Sequence, residues 1–337
     1  MENVTIKVLA SRLNLSATTI SKALKNSYEI SEPTKQKVLQ LAAELNYTPN
    51  VHAGSLRTKK SQTIAVVIPE VEDSFFAQAI NGIESVAREK GYHVLVYLTH
   101  ESVEREQAML KEFKSGRVDG VLISVSSSTS NSDHIKPLQN EQIPVVFFDR
   151  ACNDITAAKI TTDDFNSSYR ATEHLITNGA TRPAILLPSR HLAISNERLS
   201  GYQQALKDRK IKTHTAHIQL FDESTDLFAL AKKLLQQKHR PDAVICGVDK
   251  LTLPVYLACN NLGLHIPQDV KVISFSNNPS GIILNPSLSA IVQPAYEMGK
   301  VAATALFKSL LKKKHNLEQE SEVLPSVLME RASSAKA

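Results

Sequence analysis

The amino-acid sequence predicts an all-α head followed by an α/β body of two doubly wound parallel-sheet lobes. Three short amphipathic segments open the chain, and from residue 62 onward nearly continuous apolar, β-rich runs alternate with helical stretches. Two similar phrases, "GRVDGVLIS" and "HRPDAVICG", occupy matching places in the two halves of that body. A chain of 337 residues also exceeds what one hydrophobic core usually organises, so several cores are expected.

In the head, Thr5 stands as N-cap before "IKVLASRL", whose Ile6, Leu9, Ala10 and Leu13 recur at helical spacing. Ser16 caps a second segment, "ATTISKALK", which turns Ile20, Ala23 and Leu24 one way and Thr18, Thr19, Ser21, Lys22 and Lys25 largely elsewhere. A third helix opens at Ser31 with Pro33 in its first turn, buries Val38, Leu41, Ala42 and Leu45, and closes at Asn46 and Pro49. Helix, tight turn, helix, with short hydroxyl side chains on the outer face of the second helix, is the plan of a major-groove reader. Short side chains let the backbone approach. Ala17 then suits a thymine methyl, Thr18 a donor or acceptor, Lys22 a guanine edge, and Thr19 and Ser21 phosphate oxygens.

Charge agrees with this plan. Residues 1–60 carry nine Lys and Arg against four Glu, a net +5, whereas residues 61–337 carry thirty of each sign. A polyanion-binding terminal module on a neutral body fits that asymmetry, and so does a solvated basic face. No apolar run approaches the roughly 18 residues that span a bilayer, so no membrane partner is expected. The start "MENVTIKVLASRL" lacks a secretory pattern, which favours a cytoplasmic location. Cys152, Cys246 and Cys259 are odd in number and widely spaced, so reduced structural thiols are expected rather than disulfides or a metal site.

Between head and body lies "NVHAGSLRTKK", residues 50–60. A helix there would be two turns long, too short to stand alone in water, and Gly54 weakens it by about another kcal/mol. Leu56 in this polar stretch serves either as packing against a neighbour or as an apolar wedge that opens a minor-groove base step. Arg57, Lys59 and Lys60 are backbone contacts on either account.

In the body, "TIAVVIP", "YHVLVYL", "VDGVLIS" and "IPVVFFD", then "RPAILLP", "PDAVICG" and "VKVISFS", read as strands covered on both faces. Such lobes take ligands at the carboxyl ends of their strands, which places a pocket in the cleft between them. Phe75, Phe76, Asp149, Arg198, Phe221 and Asp249 stand at those ends, and an aromatic face beside carboxylates and a guanidinium suits a hydroxyl-rich small molecule. The same residues also allow a plainer account, with Phe75 and Phe76 as core and Asp149 paired to Arg198. "HTAH" at residues 214–217 reads as a solvated strand, and "KKKH" at 312–315 as a solvated helix end. Walker A, GxGxxG, GxSxG and HExxH patterns are absent, so no enzyme activity, cofactor or metal is expected.

The stretch from "VTIKVLASRL" to "SLRTKKSQTIAVVIP", with "SATTISKAL", "SEPTKQKV" and "LNYTPN" inside it, closely resembles the lactose-repressor/galactose-repressor (LacI-type) family of bacterial transcription regulators. The resemblance continues through "SFFAQAINGIE", "RLSGYQQAL" and "NPSLSAIVQPAYEMG" to "LMERASS". It implies a helix-turn-helix DNA-binding domain over 1–49, a hinge helix and linker over 50–61, and a periplasmic-binding-protein-like body over 62–337. Within that body, lobe 1 is expected at about 62–161 and 293–323, and lobe 2 at about 162–292 and 324–337. Base contacts are implied for Ala17, Thr18 and Lys22, and phosphate or backbone contacts for Thr5, Ser16, Thr19, Ser21, Lys25, Thr34, Tyr47, Asn50, Ala53 and Arg57, with Leu56 as the wedge. Lys22 stands where Arg is more usual, and Lys lacks the planar fork that grips guanine twice.

Phe75, Phe76, Asp149, Arg198, Phe221, Asp249, Ser276 and Asn277 match effector-cleft positions. Val248 replaces a common Asn, and Ser276 and Asn277 replace frequent acidic residues, so a sugar is the first expectation and a less hydroxylated or phosphorylated ligand the second. The expectation as a whole is a homodimeric repressor of carbohydrate or related catabolic genes, bound to a pseudo-palindromic operator on double-stranded DNA and controlled by a small molecule. A solute-binding receptor and a sugar-modifying enzyme are the alternatives; the basic head argues against the first and the missing catalytic motifs against the second.

Overall fold

The computed structural model describes residues 4–47, 60–72, 74–311 and 317–336. Two compact units separate at the connector, Met1–Lys60 and Ser61–Ala337.

The first unit holds three helices, α1 (Ile6–Leu13), α2 (Ala17–Leu24) and α3 (Glu32–Glu44). Thr5 takes the N-cap position of α1 with extended backbone, but its side chain makes no capping bond. Asn14 ends α1 in the left-handed region at φ 49°, which turns the chain sharply enough for Ser16 to begin α2. There the Ser16 hydroxyl accepts the Thr19 N–H at 3.0 Å. Leu9, Ile20, Ala23, Val38 and Ala42 form the buried centre, with Leu13, Leu24, Leu41 and Tyr47 packed partly against it.

The second unit is built on two six-stranded sheets. The first has the order β11-β5-β4-β3-β1-β2, comprising β1 (Thr63–Ile68), β2 (His93–Leu98), β3 (Gly120–Ile123), β4 (Val145–Phe148), β5 (Ala158–Thr162) and β11 (Glu322–Leu324). The second has the order β12-β10-β9-β8-β6-β7, comprising β6 (Pro183–Pro188), β7 (Ile218–Phe221), β8 (Ala243–Cys246), β9 (Lys271–Phe275), β10 (Ser289–Val292) and β12 (Val327–Met329). All pairings are parallel except β10 with β12.

The helices that cover these sheets are α4 (Ser74–Glu89), α5 (Val103–Phe113), α6 (Lys136–Asn140) and α11 (Ala295–Leu311) on the first. On the second they are α7 (Asp164–Thr177), α8 (Ala193–Asp208), α9 (Leu227–Leu235) and α10 (Thr252–Asn261). Strand alternation decides which layer each side chain enters. Ile64, Val66 and Ile68 face α4 and α11, while Ala65 and Val67 face Leu110, Phe113 and Leu138 on the other side. The second sheet repeats the plan, with Leu186 and Val244 toward α9 and α10 and Ile185 and Ile245 toward α7 and α8. The chain crosses between sheets three times, after β5, after β10 and after β11.

Two expectations are corrected. β2 is an edge strand, and its Leu95 and Val96 are 40% and 42% exposed rather than covered. "HTAH" is not a solvated strand: Thr215–His217 form a 3-10 turn, and the buried His217 ring meets the His239 carbonyl oxygen at 3.0 Å. The segment "KKKH" lies outside the described residues.

Glycine lets the covering helices touch backbone to backbone. A Cβ on Gly82 of α4 would lie 2.0 Å from the Tyr296 carbonyl oxygen of α11, and one on Gly299 of α11 would lie 2.0 Å from that of Ala79. In the other lobe, Gly201 of α8 meets the Phe165 carbonyl of α7 in the same way, at 2.1 Å from a Cβ. A backbone carbonyl cannot swing aside as a flexible side chain would, so a methyl group must push the helices apart. Gly82→Ala and Gly299→Ala are each expected to cost about 1–3 kcal/mol, read as a lowered thermal unfolding midpoint; wild-type midpoints would refute the tight-contact account.

Candidate nucleic-acid interface and ligand cleft

On the head, Ala17, Thr18 and Lys25 are exposed and Thr19, Ser21 and Lys22 partly so, while Ile20 and Ala23 of the same helix are buried. One face of α2 is therefore core and the other is a strip of small hydroxyl and basic side chains. Ser16 and Thr19 hydroxyls lie 2.8 Å apart at its N-terminus, so Ser16 is committed to local bonding as well as to the cap. Thr5 is exposed ahead of α1, Thr34 in the first turn of α3 bonds the Ser31 hydroxyl at 2.9 Å, and Tyr47 is half-buried against the head core. Lys22 is ion-paired with Glu29, a partner that spacing alone did not suggest. Both groups are well exposed, and such pairs contribute little, so another anion can replace the carboxylate. Asn50, Ala53, Leu56 and Arg57 lie outside the described residues.

In the body, Phe75, Phe76, Asp149, Arg198, Ser276 and Asn277 come together around one cavity between the lobes. Phe221 and Asp249 do not line it. Phe221 ends β7 pointing into the second-lobe core, with the Lys250 ammonium 5.6 Å from its ring centroid, and Asp249 is engaged by the Ser276 hydroxyl. Phe75 and Phe76 are 5% and 2% exposed and belong to the first-lobe core, so they are wall and core at once.

Arg198 does not pair with Asp149. Its Nε donates to Asp164 at 2.7 Å, its Nη1 to the Gly247 carbonyl, and its guanidinium sits 4.0 Å from the Phe275 ring centroid. Burial pushes the Asp164 carboxyl up by more than Arg198 and the Thr162 hydroxyl bring it down. Asp149 follows β4 with φ 61°, an uncommon backbone for a residue with a Cβ, held by its N–H donating to the Ile160 carbonyl at 2.9 Å. The Ser124 hydroxyl donates to its carboxylate at 3.2 Å.

Arg150, Ile194, Val248, Phe275 and Gln293 also line the cavity, and of these only Val248 drew attention in the sequence. Arg150 Nη1 donates to both oxygens of the buried Glu101, at 2.8 and 2.9 Å. Burial raises the Glu101 carboxyl, yet the Arg150 guanidinium and the Ser127 N–H outweigh it and hold the group below the usual carboxylate range. Its position beside Asp149, at a strand end, was the available signal for Arg150.

The lobes are tied across the cleft. Asn277 Nδ2 donates to Gln78 Oε1 at 3.1 Å and Gln78 Nε2 returns to the Asn277 carbonyl at 3.3 Å, while Lys250, which lies 3.7 Å from Glu223 of its own lobe, also lies 3.7 Å from Glu70 of the other. The enclosed space is only about 20 Å³, room for a single water. Among the described residues no group of His, Cys, Asp and Glu could hold a metal ion, and no helix is long and apolar enough to cross a membrane.

Residues 5–50 match the model of bacterial regulatory proteins of the lacI family, and residues 61–328 match that of periplasmic binding proteins and the sugar binding domain of the LacI family. The chain belongs to the LacI family. This LacI-family chain is 30% identical over 308 residues to the ribose operon repressor of Haemophilus influenzae, covering 91% of this chain and 92% of the relative. It is 27% identical over 312 residues to catabolite control protein A of Priestia megaterium, covering 92% and 93%. The Lac repressor dimer bound to operator and an anti-inducer shares its fold, with a TM-score of 0.86 at 22% identity over 99% of this chain and 100% of that one. The homologues are transcription regulators, not enzymes, and the head of this LacI-family member is a DNA-binding domain.

Within this LacI-family body, Arg198 joins α8, the start of α7 and the ends of β8 and β9 through groups that are nearly all buried. Removing one partner of such a pair leaves an uncompensated charge. Arg198→Leu is expected to destabilise the body by about 3–5 kcal/mol in denaturant unfolding, with Asp164→Asn, Arg198→Leu together costing less than the two single changes added. Strict additivity would sink the coupling.

Proposed function

We propose that this chain is a repressor that binds a pseudo-palindromic operator as a homodimer, its affinity set by a small molecule, a sugar or sugar derivative, in the cleft of the body. In this reading residues 1–49 bind DNA, 50–61 form the hinge and 62–337 sense and dimerise, with the lobes divided near residues 161, 292 and 323. One observation carries it. The same chain presents a hydroxyl-and-lysine face on a Ser16-capped helix and a closable cleft holding Asp149, Arg198 and three phenylalanines.

On the head, Ala17, Thr18 and Lys22 read bases, and Ser16, Thr19, Ser21, Tyr47 and Asn50 hold phosphates, with Thr5, Lys25, Thr34, Ala53 and Arg57 at the edge of the same footprint. Leu56 enters the minor groove. Effector binding shifts the two lobes relative to each other and so changes the cost of ordering the paired hinges; the sign follows from which lobe arrangement favours that pairing. In the cleft, the phenyl faces take the apolar side of a ring and Asp149, Arg198 and Asn277 its hydroxyls.

Dimerisation is supported by apolar side chains left exposed on both lobes. Leu253 and Leu257 stand one turn apart on α10 at 58% and 55% exposure, Ile283 is 83% exposed, and Leu95 and Val96 open from the edge strand β2. A second copy of the chain covers such a surface by presenting the same one, and the similar Lac repressor is a dimer. The double variant Leu253→Glu, Ile283→Glu is expected to sediment as a monomer that keeps its fold and loses operator affinity; a persistent dimer would count against this surface.

Titration of palindromic against scrambled oligonucleotides at modest ionic strength, with and without sugars, tests the whole reading, and equal affinity for both would end it. Lys22→Ala should relax base preference at one operator position by roughly 1–3 kcal/mol. Leu56→Ala should weaken specific binding with the body still folded, and retained wild-type operator affinity would remove the wedge.

A further inference from the structure

The cleft has a second compartment that the family of positions above does not include. It encloses about 290 Å³, against about 20 Å³ beside Asp149 and Arg198, and so approaches the roughly 300–1,000 Å³ of ordinary ligand pockets. Three strand-end segments build it: 125–131 after β3, 151–154 after β4, and 191–196 leading into α8. The two compartments are neighbours along the chain twice over. Asp149 and Arg150 line the inner one and Ala151 and Cys152 the outer; Ile194 lines the inner one between Ala193 and Asn196 of the outer.

Its chemistry is different from that of the inner compartment. Val125, Cys152 and Leu192 are buried and give an apolar floor, while Ser130, Asn131, Asn153 and Asn196 are exposed around it. Neither Lys nor Arg lines it, and its one carboxylate, Asp154, accepts the Ser132 N–H at 3.1 Å and faces Lys136 at 3.5 Å. No aromatic ring other than His191 is present to stack a base. An apolar floor under a rim of amides and hydroxyls matches a pyranose, whose ring face is C–H and whose edge is hydroxyl. A phosphate would meet no Lys or Arg in the lining, and the nearby Lys136 is paired with Asp154 and Asp133.

The wall is also held in place before any ligand arrives. Glu106, fully buried, accepts from the Ser126 N–H and Ser126 hydroxyl, both at 2.8 Å, and from the Thr129 hydroxyl at 3.0 Å, and it meets His134 Nε2 at 2.6 Å. One carboxylate thus fixes the loop from 126 to 134, which is the preorganisation a binding site needs.

We infer that the outer compartment is a second subsite for a neutral glycosyl unit, and that the effector is a disaccharide or glycoside spanning both compartments rather than a monosaccharide or a sugar phosphate. This rests on the cleft being the effector site. Ala193, the first residue of α8 and only partly buried, points the test: a phenyl ring there fills the outer compartment and leaves the inner wall intact.

The experiment is calorimetric titration of the full-length protein with α- and β-linked disaccharides of glucose, galactose and fructose, with the constituent monosaccharides, and with glucose 6-phosphate. At least one disaccharide is expected to bind ten-fold or more tightly than either of its halves. Ala193→Phe should lower that affinity at least ten-fold while changing monosaccharide binding less than two-fold, and Asn153→Ala should lower it several-fold, both at wild-type thermal midpoints. A monosaccharide or glucose 6-phosphate that matches every disaccharide overturns the second subsite and leaves the effector reading standing, as does full disaccharide affinity in a folded Ala193→Phe. Failure of every carbohydrate to bind removes the sugar reading itself.

Discussion

The guanidinium of Arg198, enclosed by Asp164, the Gly247 carbonyl and the Phe275 ring, joins three segments of the second lobe that are distant in sequence. Its position depends on α7 and α8 lying close enough for Gly201 to meet the Phe165 carbonyl, so helix packing and cleft geometry are one constraint. The desolvation cost of two buried ions is offset only because each finds more than one partner. Asp164 also takes the Thr162 hydroxyl at 3.2 Å, and Thr162 in turn accepts from Gln293 at 3.1 Å, which carries the network onto a segment where the chain crosses between sheets.

The first lobe solves the same problem with its own pair. Arg150 and Glu101 are both nearly buried, and Arg150 lies 6.0 Å from the Phe76 centroid and 3.7 Å from Asp149. Each lobe therefore brings a buried, charge-paired arginine to its side of the cleft, although Arg150 Nε finds no hydrogen-bond partner among the described residues. Between them stand groups that can part at small cost: a Gln78–Asn277 amide exchange and the longer Lys250 contact with Glu70. The buried ion pairs lie within lobes and these longer contacts between them, a distribution that suits a hinged body.

Much of this was legible because buried parallel strands are written as unbroken apolar runs; "TIAVVI" and "PAILLP" need no partner to be recognised. β5, "AKITT", alternates in burial and carries Lys159, and β11 and β12 are three residues each, so no comparable run marks them. The head was readable from capping residues and periodicity, although Thr5 proved to cap by backbone conformation alone. At the cleft, position after a strand told where a residue would be and not which way its side chain would turn. Phe221 turned into the core and Asp249 was taken by Ser276, while Arg150, one residue beyond a recognised aspartate, entered the cavity. The Glu106 network and the outer compartment arise from loops whose polar sequence gives no period to read.

The narrowness of the inner cavity has a kinetic meaning. On the proposed reading, a molecule drawn to Asp149 and Arg198 would meet a narrow space lined by Asn277, which is tied to Gln78, so the breathing of the lobes would help to time its arrival. Once inside, the same closure would delay its escape. Were the cleft to sense a metabolite as proposed, it would average over brief fluctuations in concentration and answer to sustained supply.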